Sequence, residues 1–261
     1  MTLLAVAIAG RGLVDPDEPV FRADDDALLR GGAAFETIRV YGGRPFLVDD
    51  HLVRFRFSAE SLALPGTDGI EKLVTLVVGA AAPDHVLRLY RTSRALVATA
   101  AAVPSGLDEL RGRGVTLKSF EVGDPPLLLG GVKTTSYDVS FAARRDAERA
   151  GAADALLVGA GHVLEAATAN IWWRRGDELY TPAVRPGVLP GVTRAFVRSL
   201  DPAREGEFPL AELLTADEAF LTSSIREVMP VVEIDGVPIG DGRPGPAAAR
   251  LQDALRLRSA S

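Results

Sequence analysis

Alternating apolar and polar positions dominate the first hundred residues and predict strands joined by tight turns. Leu3 to Ile8 reads as an opening strand, with Asp15-Pro16-Asp17 turning the chain into a short strand near Val20-Phe21. From Ala34 to Tyr41 the alternation sends Phe35, Thr37, Arg39 and Tyr41 to one face and Glu36, Ile38 and Val40 to the other. Gly42-Gly43 and a second strand from Pro45 to Val48 complete a hairpin. The period then changes. Asp49 or Asp50 is suited to cap a helix from His51 to Leu62, in which Leu52, Phe55, Ala59 and Leu62 recur at helical spacing until Pro65 stops it. A second helix is expected over 70–79, then strands over 86–91 and 95–101.

Pro104-Ser105-Gly106 marks a boundary, and the division is placed near residues 104–113. Beyond it the pattern predicts a strand over 115–122, an apolar connection over 124–131, and a helix from about Thr135 to Ala150. Tyr137, Phe141 and Ala142 are expected in that helix's apolar stripe. Strands at 153–158, 162–165, 169–173 and 178–180 form a meander with Gly-containing turns. Gly191-Val192-Thr193-Arg194 opens a helix, a short helix ends at 212–215, strands follow at 219–221 and 228–234, and a helix covers 246–255. Interleaved hairpins and helices make the class α+β, with a smaller N-terminal domain at 1–107 and a larger C-terminal domain at 108–261.

Composition narrows the chemistry. The 261 residues carry a net charge of −6 and are 47% hydrophobic, so the chain has a core to bury. There is no cysteine, which excludes disulfides, thiolate zinc sites and thiol nucleophiles. His51, His85 and His162 lack metal-ligand spacing, so no metal is expected. The acidic balance and the absence of a basic stripe argue against nucleic acid. The apolar N-terminal run is about eight residues, too short to span a bilayer, and it lacks a basic flank, so a cytoplasmic protein is expected. Among 29 basic residues only Lys72, Lys118 and Lys133 are lysines, and any amine chemistry must use one of them.

Lys72 lies beside Glu71 on an amphipathic helix and Lys118 alternates along a strand, so both read as surface residues. Lys133 follows Gly130-Gly131-Val132 and precedes Thr134-Thr135-Ser136-Tyr137; it suits a buried amine, and equally a connector residue. Glu165 follows two apolar residues on a short strand, so it is either a partly buried carboxylate with a functional partner or one satisfied by backbone amides in a turn. The Gly191-Val192-Thr193 helix start, the Thr222-Ser223-Ser224 turn and Arg54 are each suited to anions, and each has an ordinary structural role as well.

Taken in order, these pieces resemble a known family. Phe35-Glu36-Thr37-Ile38-Arg39-Val40, His51-Leu52-Val53-Arg54, Lys133 with Ser136-Tyr137, Leu164-Glu165 with Asn170, Tyr180-Thr181-Pro182, Leu189-Pro190-Gly191-Val192-Thr193-Arg194 and Thr222-Ser223-Ser224 resemble the class IV (fold-type IV) pyridoxal-phosphate enzymes from about residue 20 to 240. That group includes branched-chain and D-amino-acid aminotransferases, (R)-amine transaminases and 4-amino-4-deoxychorismate lyases. The resemblance implies two α+β domains with pyridoxal 5'-phosphate held between them, and a homodimer. It implies that Lys133 is the catalytic Schiff-base lysine, carried by the C-terminal domain, and that Glu165 pairs with the pyridinium nitrogen. Tyr137 would contact the phenolate oxygen; Arg54, the amides of Val192 and Thr193, and the hydroxyls of Ser224 and Ser223 would hold the phosphate.

The resemblance implies an aminotransferase acting on an amino acid or amine and a 2-oxo acid. The alternatives are 4-amino-4-deoxychorismate lyase, releasing 4-aminobenzoate and pyruvate, and a silent cofactor-binding protein, against which the retention of both Lys133 and Glu165 weighs. The chain departs from the family's usual Gly-Asp-Gly at Arg30-Gly31-Gly32-Ala33-Ala34, and the turn Arg91-Thr92-Ser93-Arg94-Ala95 is short. An Arg-x-His carboxylate clamp is not evident. Thr37 and Arg88 are the expected substrate contacts, with Arg91 and Arg94 as further candidates.

Overall fold

The structure is a computed structural model and describes residues 2–260. By its contacts the chain forms two compact units. The first runs to Ser105 and takes back the segment Val132–Tyr137 and the chain end from Ser259; the second comprises Gly106–Gly131 and Asp138–Arg258. Lys133, expected beyond the boundary with the C-terminal body, therefore belongs by its contacts to the first unit.

The first unit contains β1 (Leu3–Ile8), β2 (Gly12–Val14), α1 (Asp26–Leu29), β3 (Ala34–Tyr41), β4 (Arg44–Pro45), α2 (Val48–Ser61), α3 (Ile70–Ala80), β5 (His85–Arg91) and β6 (Leu96–Ala101). Among the described residues its strands form one antiparallel sheet in the order β2-β1-β6-β5-β3-β4. The alternation of β3 is realised: Glu36, Ile38 and Val40 are buried, while Phe35, Thr37, Arg39 and Tyr41 are partly exposed. Leu52, Phe55 and Ala59 of α2 and Leu73, Val74 and Val77 of α3 pack with Ile38, Val40, Leu87 and Leu89 into one core.

Local differences have local causes. Helix α2 begins at Val48 after Leu47 adopts the left-handed conformation (φ 49°), so the strand expected over 45–48 shrinks to Arg44–Pro45. Asp49 and Asp50 lie in the first helical turn, where they favour the helix dipole, rather than at the cap. Val20 and Phe21 are not a strand; they pack against Val6, Ile8 and Val97, and β2 lies earlier in the chain.

The second unit holds α4 (Leu107–Arg113), β7 (Val115–Glu121), α5 (Asp138–Arg149), β8 (Asp154–Gly159), β9 (His162–Ala166), β10 (Asn170–Arg175), β11 (Glu178–Pro182), α6 (Val192–Leu200), β12 (Ala203–Gly206), α7 (Leu210–Leu213), β13 (Glu218–Ser223), β14 (Glu227–Ile234), β15 (Val237–Pro238) and α8 (Pro246–Ala260). Its sheet runs β12-β11-β10-β13-β14-β7-β8-β9, with β15 on β14. Ile171, Trp173, Leu221, Met229 and Val231 fill its core.

Helix α4 falls in the stretch read as the boundary. Helix α5 begins at Asp138 rather than Thr135, and its buried side is Ala143 and Ala147 against Ala155 and Leu157. Phe141 is 59% exposed and Ala142 is exposed, so neither belongs to that stripe. Tyr137 lies outside the helix. Two small alanines serve where β8 approaches closely, a requirement that the larger apolar residues do not meet.

Candidate active site

In the first unit the site is built around Lys133. Its side chain is half-buried, whereas Lys72 and Lys118 are exposed. The Lys133 Nζ lies 4.4 Å from the centre of the Phe35 ring and donates a hydrogen bond to the Tyr137 hydroxyl at 3.3 Å. The Phe35 and Tyr137 rings meet edge to face, 5.5 Å apart, and Tyr90 stacks with Phe35 at 6.4 Å. An aromatic wall therefore flanks the Lys133 amine.

The segment Val132–Tyr137 is held by its own hydroxyls. Thr134 and Thr135 donate to the Gly31 carbonyl at 3.0 and 2.8 Å, and Thr135 N–H donates to the Ala33 carbonyl at 2.9 Å. The Lys133 carbonyl accepts from Phe35 N–H at 3.1 Å, and Ala34 bridges to Thr134. Gly31 is needed twice over: its φ is +66°, and a Cβ there would lie 2.7 Å from Ser136 Oγ. The unusual Arg30-Gly31-Gly32 run is thus the seat of the lysine segment.

Thr37 and Arg88 sit directly opposite each other across β3 and β5, one row from Phe35 and Tyr90 on the same face. The other two arginines considered are committed elsewhere: Arg91 donates to the Pro65 carbonyl and Arg94 pairs with Asp24. Arg94 lies in the turn between β5 and β6, off the strand that carries Arg88 and Arg91.

Arg54 lies on the buried face of α2. Its Nε and Nη2 donate to the two Glu36 oxygens at 2.7 and 2.8 Å, and His51 Nδ1 shares Oε2 at 2.8 Å. Burial alone would raise the Glu36 pKa, but the charge and hydrogen bonds of Arg54, with help from His51, lower it to about 2. Burial pushes the His51 pKa down, against the pull of Glu36. Glu36 and His51 were not among the expected site residues. Their signal was present in the pattern, since Glu36 shares the apolar side of β3, where a carboxylate demands a partner.

In the second unit Glu165 is half-buried on β9. Its Oε2 accepts from Leu189 N–H and from Asn170 Nδ2, both at 2.9 Å. Asn170 also donates to the Leu189 carbonyl at 2.9 Å, and it stands opposite Thr222 between β10 and β13. The loop from Leu189 leads into α6, whose N-cap Gly191 provides no side-chain cap for the first turn, where Val192 and Thr193 are buried. Asn170 thus ties Glu165, the α6 entrance and the Thr222 end of β13 into one cluster. Like Glu36, it stands in a motif of the family resemblance but was given no role in the expected site. Trp172 Nε1 donates to Thr222 Oγ1 at 2.9 Å, Ser223 Oγ accepts from Arg226 N–H at 3.2 Å, and Ser224 is half-buried beside it.

Each unit thus presents a distinct chemical set. One offers an amine, a phenol and a buried arginine; the other offers a carboxylate, a helix entrance with amides, and hydroxyls. Among the described residues no group of His, Asp or Glu is arranged to hold a metal, and no helix is long and apolar enough to cross a membrane.

Residues 33–234 match the family model for amino-transferase class IV. The chain is 27% identical to a D-alanine aminotransferase of Staphylococcus aureus, with 93% of each chain covered. It is 28% identical to an aminodeoxychorismate lyase of Bacillus subtilis, covering 95% of this chain and 92% of the relative. A solved structure described as a hypothetical aminotransferase from Mycobacterium tuberculosis in its PLP-bound form superposes with a TM-score of 0.87 at 26% identity, covering 97% of this chain and 98% of that one.

Proposed function

The chain belongs to the class IV aminotransferases, and from that premise we propose that it exchanges an amino group between an amino acid or amine and a 2-oxo acid, with pyridoxal 5'-phosphate as cofactor and Lys133 as the catalytic residue. What supports the reading most is the Lys133 amine itself, the one half-buried lysine among the described residues, set on the Phe35 ring within hydrogen-bond reach of Tyr137. The PLP-bound state of the similar Mycobacterium tuberculosis protein supports the cofactor.

The residues present fit that group. An α6 entrance without a side-chain cap suits a phosphate, and a Cβ at Gly191 would intrude on it, 2.1 Å from Asn170 Oδ1. Val192, Thr193, Ser223, Ser224 and Arg54 would hold the phosphate, Glu165 the ring nitrogen and Tyr137 the phenolate oxygen. When bound, the cofactor supplies an aldehyde that takes up the amino group and a ring that delocalises the electron pair left at Cα.

Lys133 would take the proton from the substrate Cα as base and then return it as acid. Glu165 would pair with the ring nitrogen of the bound cofactor, and Asn170 and the Leu189 amide fix its orientation. Arg88, beside Thr37, orients the substrate carboxylate. The family resemblance further supports a cytoplasmic homodimer, which sedimentation of the purified protein would test.

Purified protein supplied with pyridoxal phosphate should be yellow, and an amino donor should shift its visible band. Lys133→Ala should abolish the band; Lys72→Ala and Lys118→Ala should keep it. A protein that takes up no pyridoxal phosphate overturns the reading. Half-reactions with L- and D-amino acids and (R)-amines, run beside a 4-aminobenzoate assay, separate transamination from the lyase activity named for the Bacillus subtilis relative. Formation of 4-aminobenzoate without accumulation of pyridoxamine phosphate would favour the lyase.

A further inference from the structure

Ser58 poses a question that the proposed chemistry leaves open. It lies inside α2 and is fully buried, in a helix interior where serine has no intrinsic advantage. A buried hydroxyl is unfavourable unless it is used. Its Oγ accepts the backbone N–H of Lys133 at 3.0 Å, across 75 residues of sequence. Lys133 is in neither a helix nor a strand, so that amide has no ladder to join. On its other side, the Lys133 carbonyl accepts from Phe35 N–H at 3.1 Å. The lysine backbone is therefore pinned between α2 and β3, and the side chain that leaves this pinned point reaches the Phe35 ring. Ser58 is also one helical turn from Arg54 on the same buried face.

We propose that Ser58 is a positioning residue for Lys133: its hydroxyl fixes the lysine's main chain to helix α2 and so sets the amine in register with Arg54 on that helix. The proposal rests on the reading of Lys133 as the reactive amine. Thr134, Thr135 and Ser136 hold the flank of the segment through Gly31 and its neighbours, whereas Ser58 is the side chain that bonds the Lys133 main chain itself.

The test uses Ser58→Ala and Ser58→Cys in the full chain, with two kinds of readout. In protein without added cofactor, amide hydrogen exchange of the peptide containing Lys133 should be about tenfold faster in Ser58→Ala, the effect of losing one hydrogen bond. In protein loaded with pyridoxal phosphate, kcat should fall roughly tenfold or more with KM for the amino donor nearly unchanged, because a misplaced amine slows proton transfer more than it weakens binding. Cysteine, close in size and a weaker acceptor, should fall between serine and alanine in both readouts. If Ser58→Ala does not fold, the cysteine variant decides alone. A lower melting temperature with unchanged Lys133 exchange and unchanged kcat would overturn the proposal and leave Ser58 a packing residue. Failure of the Lys133 reading is separate: Lys133→Ala would then keep the visible band and turnover, whatever Ser58 does.

Discussion

Glu36 grips Arg54 with both carboxylate oxygens, at 2.7 and 2.8 Å, in a pair that is almost entirely closed to solvent. A buried pair of this kind is weak evidence for net stability, yet breaking it from one side is costly, because the charge left behind keeps its desolvation penalty. Glu36→Ala is therefore expected to lower stability by about 3–5 kcal/mol, measured by urea unfolding. Glu36→Leu combined with Arg54→Met should recover a large part of that loss. Full additivity of the two single losses would contradict a coupled pair.

The same cluster makes the fold acid-sensitive in two stages. His51 has its pKa lowered from the ordinary 6.5, chiefly by burial, so below that pH the unfolded chain binds a proton that the folded chain resists, and stability falls. Glu36 is lowered from 4.5 to about 2 by Arg54 and His51 in spite of burial; its contribution is complete above pH 4.5 and is lost as pH falls towards 2. Melting temperatures should decline below pH 6.5 and decline further below 4.5. His51→Asn should remove the first stage and Glu36→Gln the second. Unchanged pH profiles in both variants would show that other groups govern acid unfolding.

Half of this cluster is readable along the chain. The alternation from Ala34 to Tyr41 already sets Glu36 with Ile38 and Val40, and the helical spacing of Leu52, Phe55 and Ala59 already defines the inner side of α2. The same spacing sets His51 and Ser58 beside Phe55, at i−4 and i+3, but it does not reveal what their polar groups or Arg54 bind on that inner side, because those partners come from other segments. The segment around Lys133 misleads more strongly. Thr135 to Tyr137 continue into a helical pattern, yet their conformation is set by carbonyls of residues 30–33, about a hundred positions earlier. Tertiary hydrogen bonds of that range leave no period to detect. Asn170 is similar: its importance lies in joining Leu189 to Glu165, a relation that exists only once β9, β10 and the α6 entrance are folded.

The seat of the lysine segment can be tested at Gly31. Alanine there would meet both a left-handed φ of +66° and the Ser136 backbone at 2.9 Å. Gly43 has φ +77° with nothing within 4 Å, so Gly43→Ala carries the conformational strain alone. Each should lose about 1–3 kcal/mol from backbone strain, and Gly31→Ala should lose more. Only Gly31→Ala should also expose the 132–137 segment to limited proteolysis and weaken the cofactor's visible band. Equal behaviour of the two variants would mean that Ser136 yields freely and that Gly31 does not seat the segment.

Gly191 tests the carboxylate cluster by sterics alone. Its φ of −64° is open to any residue, so alanine adds no backbone strain. The new methyl would, however, fall 2.1 Å from Asn170 Oδ1 and 3.1 Å from the Arg194 Cβ, and the Asn170 carboxamide is the part able to move. Moving it breaks the bonds to Glu165 and to the Leu189 carbonyl together. Gly191→Ala should therefore weaken pyridoxal phosphate binding roughly tenfold or more, as loss of a supporting hydrogen-bond partner does at other ligand sites. Asn170→Ala should weaken it by a similar factor, since it removes the same orienting contacts without adding a methyl group. The decisive measurement is the double variant. If both substitutions act through the Asn170 carboxamide, Gly191→Ala should add little once Asn170 is already alanine, because the clash has been removed along with the bonds. Two independent effects would multiply in the double variant, and the α6 entrance and Glu165 would then be separate sites rather than one cluster joined through Asn170.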